Sequence, residues 1–105
     1  MRTTERISEV TVQHENGMQW IFVYYLQAIP SHSEGELFAI RVDKLTRDGI
    51  LLEKNETYPL TSSRREAMAM VKAFAKGTVP PSVLMEMADE WSMATQPWHT
   101  YHRAG

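Results

Sequence analysis

The chain of 105 residues has 43% hydrophobic and 23% charged side chains and a formal charge of -2. That composition fits one small globular domain and excludes a disordered chain. With no cysteine among its residues, the chain can form no disulfide, thiolate metal site or iron–sulfur cluster and has no cysteine nucleophile. Eleven basic against thirteen acidic residues also leave out the basic excess of many nucleic-acid binders.

Residues 6–14 alternate loosely, with Val10 and Val12 on one side and Glu9, Thr11 and Gln13 on the other, which predicts a first strand. Glu15-Asn16-Gly17 is a strong hairpin signal, because Asn and Gly both tolerate positive φ. Residues 18–28 read as the best strand of the chain. Met18, Trp20, Phe22, Tyr24 and Leu26 share one face, and Ile21, Val23 and Tyr25 share the other. Apolar residues on both faces predict a central strand. A polar loop is expected from Pro30 to Gly35, then a third strand over residues 37–45, with Phe38, Ile40 and Val42 opposite Arg41 and Asp43. Arg47-Asp48-Gly49 supplies a second tight turn. Residues 50–58 form a fourth strand, polar from Glu53 to Thr57 and stopped by Pro59. Its charges suit a sheet edge.

Near residue 61 the period changes from two to about 3.6. Ser63 and Glu66 have capping-box spacing, and Ala67, Met70, Val71 and Phe74 make one apolar stripe. Gly77 is the expected left-handed terminator. A second helix follows Pro80-Pro81, with Val83, Leu84, Met87, Ala88 and Trp91 inward and Glu86, Asp89 and Glu90 solvated. Pro97 ends it. The expected architecture is α+β: a four-stranded antiparallel meander followed by two helices packed on one face. Residues 1–96 make the domain, and residues 97–105 an aromatic and histidine tail.

Most of these pieces carry a resemblance. Tyr24-Tyr25-Leu26 and Gly35-Glu36-Leu37-Phe38-Ala39-Ile40-Arg41-Val42, with Pro81-Ser82-Val83-Leu84 and Met85-Glu86-Met87-Ala88-Asp89-Glu90-Trp91, resemble a family of small uncharacterised bacterial proteins. There a Tyr-Gly-Ile-type strand precedes a helix that leads to a short Pro-x-x-Leu acidic helix; here Phe38-Ala39-Ile40 takes the place of Tyr-Gly-Ile. The resemblance spans residues 20–92. It implies a cytosolic bacterial domain of unknown function with no catalytic residue to carry over.

Chemistry-bearing patterns are sparse. No serine sits in a Gly-x-Ser-x-Gly elbow and no glycine-rich phosphate loop occurs, so no catalytic residue is assigned. His99 and His102 are weak metal candidates, since two imidazoles make half a zinc site. No cofactor is expected. Trp20, Phe22 and Tyr24 could stack single-stranded bases, but the favoured reading places them in the core beneath the helices, and nucleic acid is not the expected partner. The longest apolar run, residues 20–26, is seven long, far below the roughly twenty needed to span a bilayer. The first six residues lead into no signal-peptide core. A cytoplasmic protein without membrane partners is the expectation.

Two surfaces stand out for contact. If the helices cover one face of the sheet, Ile21, Val23 and Tyr25 are left on the other as an apolar patch, which predicts a two-fold homodimer. Charge also localises. Residues 1–80 hold ten basic and ten acidic side chains, so the net -2 resides in Glu86, Asp89 and Glu90 against Arg103. This acidic helix precedes Trp98 and Tyr101, residue types favoured at interfaces. A non-catalytic protein-interaction or regulatory module is the leading expectation. Nucleic-acid binding through the aromatic strand and ligand or metal binding through the tail histidines are the alternatives.

Overall fold

A computed structural model of the chain describes residues 2–33 and 35–95, the last four as backbone only. Strands β1 (Thr3–Gln13), β2 (Gln19–Ser31), β3 (Gly35–Thr46) and β4 (Leu51–Glu56) lie in the order β1-β2-β3-β4. Every neighbouring pair is antiparallel. Helix α1 (Arg64–Lys76), a 3-10 turn (Pro81–Val83) and helix α2 (Leu84–Thr95) follow. This is the α+β meander with two helices that the periodicity predicts.

The first turn forms where expected. Gly17 has φ +86°, the Asn16 side-chain oxygen accepts from the Met18 N–H at 3.0 Å, and His14 N–H donates to Met18 O at 2.7 Å. The second hairpin is longer than the sequence suggests. Pro30 pairs with Glu36 and Ser31 with Gly35, so β2 runs through the proline to a short turn. Pro30 lies at the exposed end of its strand, where a missing N–H costs little.

A bulge between Arg6 and Ser8 in β1 resolves a parity conflict. Ile7 and the pair Val10 and Val12 are an odd number of residues apart, yet all three pack against the core. One extra residue lets both sets face the helices.

The core lies between the sheet and the helices. Strand β2 contributes Phe22 and Tyr24, β3 contributes Ile40 and Val42, α1 contributes Met70, Val71 and Phe74, and α2 contributes Leu84 and Ala88. Leu26, Ala28, Phe38 and Ala67 extend it toward the start of α1. Each large apolar side chain buried here contributes about 1.5–3 kcal/mol relative to exposure. The Tyr24 hydroxyl, wholly buried, donates to Val79 O at 2.9 Å and so ties the central strand to the turn between the helices.

Ser63 caps α1, its hydroxyl accepting from the Glu66 N–H at 3.1 Å. The other end departs from expectation. Gly77 keeps φ near -84°, and Thr78 takes the left-handed conformation at φ +55°. Thr78 N–H donates to Ala75 O at 3.1 Å and Val79 N–H to Phe74 O at 3.0 Å, the paired bonds of a Schellman end with the threonine at C′. Val79 and Phe74 belong to the same core cluster, which is the hydrophobic contact that fixes this register.

Past β4 the chain keeps following β3. Thr57 N–H donates to Ile40 O, and Leu60 N–H to Phe38 O, both at 2.8 Å. Two bonds fasten the second helical segment to this edge. Asn55 Nδ2 donates to Pro81 O at 3.0 Å, and the Tyr58 hydroxyl donates to Asp89 at 2.6 Å.

Candidate interaction surface

The sheet face turned away from the helices carries residues that pair across all four strands. One row is Glu9, Val23, Asp43 and Lys54; the next is Arg6, Tyr25, Arg41 and Glu56. Directly opposite residues in antiparallel strands share a face, so these two rows are charged, while the next row toward the turns, Thr11, Ile21, Leu45 and Leu51, is largely apolar. Arg41 donates to both Asp43 carboxylate oxygens at 2.8 Å and lies over the Tyr25 ring, 5.2 Å from its centroid. The hydrogen bond to Asp43 pushes the Arg41 guanidinium above its ordinary pKa, against an opposing push from burial. Arg6 pairs with Glu9 on the same face.

Arg2, just before β1, donates to Glu56 at the end of β4 at 2.6 Å. Three strand spacings of about 4.8 Å separate those edges, so these side chains reach over the open face to meet. Val23 and Ala39 are wholly buried on this side, and Gln27 and Asp43 nearly so, although no described helix lies on it.

The apolar patch expected here is therefore corrected. Val23 is inaccessible, with Asp43 opposite it and the Arg41–Asp43 pair beside it. Tyr25 is half-buried under Arg41, and Ile21 is half-buried. Alternation identifies the face correctly, but the β3 neighbours of Val23 and Tyr25, Asp43 and Arg41, make that part of it ionic, whereas Ile21 keeps an apolar neighbour in Leu45.

Glu86, Asp89 and Glu90 are exposed on α2, on the opposite layer from Ile21, Val23 and Tyr25. The two sets do not form one surface. Asp89 is engaged by Tyr58, whose hydroxyl is pushed above its ordinary pKa chiefly by that hydrogen bond. Trp91 is half-buried and meets Phe74 edge-on at 6.2 Å between centroids, as an inward position should. Trp98, His99, Tyr101 and His102 lie outside the described residues. Among the described residues no group of three metal-ligating side chains gathers. Phe22 and Tyr24 are buried beneath the helices, so the aromatic strand offers no open stacking platform. Trp20 is half-buried, with Lys44 Nζ 4.8 Å from its ring centroid.

The exposed apolar surface is elsewhere. Ile50, Leu51 and Leu52 are 62%, 46% and 49% exposed, and Met18 is 49% exposed. Trp20 pairs with Thr46, so the β1–β2 and β3–β4 turns sit at the same end of the sheet. An open cleft of about 450 Å³ lies between them, lined by Met18, Trp20, Arg47 and Asp48 among others. All of its lining residues are exposed or half-buried, so no desolvated polar group converges there as in an enclosed ligand site. The signal for the apolar run was in the sequence: three consecutive apolar residues directly after Arg47-Asp48-Gly49. On an edge strand covered on one side, alternation cannot bury three in a row.

A model of the family of unknown function DUF6514 matches residues 2–94. The chain belongs to that family. The match takes in both helices and the whole sheet, including the open face and the apolar end. No curated protein and no solved structure matches the chain. No helix among the described residues is long and apolar enough to cross a membrane.

Proposed function

We propose that this DUF6514 member is a non-catalytic protein-interaction domain of the bacterial cytoplasm, docking through the end of the sheet where the two turns meet. The observation that carries this reading is the exposed run Ile50, Leu51 and Leu52 at the start of an edge strand. A run of three exposed apolar residues is costly in a soluble domain unless something covers it. Met18 from the neighbouring turn extends the same end, and Arg47 and Asp48 supply a polar rim of the kind that surrounds interface cores. Asp89 on the acidic face of α2 is bonded by Tyr58, which lies past the opposite end of β4 from Ile50.

The test uses Ile50→Asp, placed at the most exposed apolar residue and outside β4. Wild-type and variant proteins of matched thermal stability are immobilised and challenged with lysate. The expected result is a defined set of proteins retained by the wild type and lost from the variant. Identical captures would overturn the assignment of this end as the docking site.

A further inference from the structure

Among the described residues no strand pairs with the outer side of β4, and its sequence selects a partner for that side. The Thr57 N–H points to β3, where it donates to Ile40 O at 2.8 Å. Antiparallel main-chain groups alternate in direction. Those of Asn55 and Glu53 therefore also face β3, and those of Lys54 and Glu56 point to the free edge. On the open face, Lys54 stands opposite Asp43, and Glu56 stands opposite Arg41. Charge alternates along β3 and β4 and across that pair, right up to the boundary of the sheet.

We propose that β4 pairs with β4 of a second copy, antiparallel across a two-fold axis at Asn55, to make one continuous eight-stranded sheet. This rests on the reading of the chain as an interaction domain and names its partner. A two-fold axis perpendicular to a sheet keeps each residue on its own face, so the axis must pass through a residue position. An axis at Glu53, Lys54 or Glu56 sets that charged residue against itself. An axis at Asn55 sets Lys54 against Glu56 of the second copy, and Glu56 against its Lys54. All four residues then turn their main-chain groups toward one another, giving four backbone hydrogen bonds, two of which replace the bond that the Glu56 N–H of each copy makes to its own Asn55 Oδ1 at 3.0 Å. The open-face charges read Asp43, Lys54, Glu56, Arg41 from one copy into the next, alternating in sign throughout. Asn55 lies on the axis with its Nδ2 donating to Pro81 O. Leu52 of each copy and Tyr58 of the other, each 49% exposed, come together at the two ends of the junction. Charges on an edge strand ordinarily deter pairing; here they deter the other registers and leave one complementary.

Sedimentation equilibrium of the full chain from low micromolar to near-millimolar concentration should show monomer passing to dimer. Lys54→Glu and Glu56→Lys should each weaken self-association about tenfold or more, since each turns two attractive cross-strand pairs into repulsive ones. Their equimolar mixture should recover a dimer, because the two carboxylates that one variant carries at these positions then face the two ammonium groups of the other. In the wild type, which needs no substitution to fold, amide exchange at Lys54 and Glu56 should slow as concentration rises. A monomer at every concentration, a dimer undiminished by both reversals, or a mixture no heavier than its components would overturn the proposal. None of these outcomes bears on the Ile50→Asp comparison, so the two readings fail separately.

Discussion

Replacing Tyr24 by phenylalanine separates a core role for the aromatic strand from a surface one. The ring is wholly buried, and its hydroxyl donates to Val79 O at 2.9 Å. Tyr24→Phe keeps the ring and removes one donor, leaving the Val79 carbonyl buried without its partner. A lost bond of that kind costs about 1.5 kcal/mol. With a urea m value on the order of 1.5 kcal/mol/M for a domain of this size, the unfolding midpoint should fall by about 1 M. The same hydroxyl predicts a pH dependence. Burial pushes Tyr24 up from 10.0 to about 12. The unfolded chain therefore releases this proton near pH 10, and the folded chain holds it until about pH 12. The contribution is fully present below pH 10 and is lost as pH rises through that window, at about 1.4 kcal/mol per unit, or about 2–3 kcal/mol in all. The variant lacks this loss, so the stability difference should close above pH 10 and reverse sign before pH 12. Urea titrations of both proteins at several pH values measure it. A variant as stable as wild type at neutral pH, or a difference that does not change with pH, would refute the buried-hydroxyl argument.

Four further substitutions test the construction of the fold and the open face. Arg41→Ala leaves the Asp43 carboxylate, whose side chain is 6% exposed, without its bidentate partner and should cost about 3 kcal/mol by denaturant unfolding. Combining it with Asp43→Ala should cost clearly less than the sum of the two single changes. Thr78→Gly removes a β-branched residue from φ +55° and should raise stability by about 0.5 kcal/mol after the added freedom of the unfolded chain is counted, visible as a melting temperature about 2–4 °C higher. Ser63→Ala removes the hydroxyl that accepts from Glu66 and should cost about 1 kcal/mol in the same assay.

The architecture was legible because each element announces its period locally. Phe38, Ile40 and Val42 alternate, Ala67, Met70, Val71 and Phe74 follow the helical repeat, and Asn16-Gly17 marks its turn without help from distant residues. The open face was not legible for the complementary reason. Whether Val23 is exposed depends on which residue of β3 lies opposite it, and period-two alternation is silent on inter-strand register. The answer, Asp43 opposite Val23 and Arg41 opposite Tyr25, converts an apparent apolar stripe into a covered one. The left-handed helix end has a similar origin. Gly77 is the residue a propensity argument selects, but the Val79 contact with Phe74 sets the register, and that register puts Thr78 at the left-handed position. Tertiary packing outweighs a local preference worth about 1 kcal/mol.

Energetics then connect the apolar end to the sheet edge. Ile50, Leu51, Leu52 and Met18 each retain about half of their surface in water. Covering the remainder yields about 1 kcal/mol per side chain, or about 4 kcal/mol together. A micromolar complex needs about 8 kcal/mol net, after the loss of translational and rotational freedom has been overcome. The apolar end alone therefore falls short of a stable complex with any partner. The shortfall has to come from surface continuous with it, and the surface that begins at Leu51 and Leu52 is the unpaired side of β4. A partner that adds a strand there gains main-chain hydrogen bonds and can cover the adjoining leucines in the same event. A partner that sits on α2 gains neither. This is why the edge, with its alternating charges, carries more of the interaction argument than the acidic helix does, even though the helix holds the chain's excess negative charge.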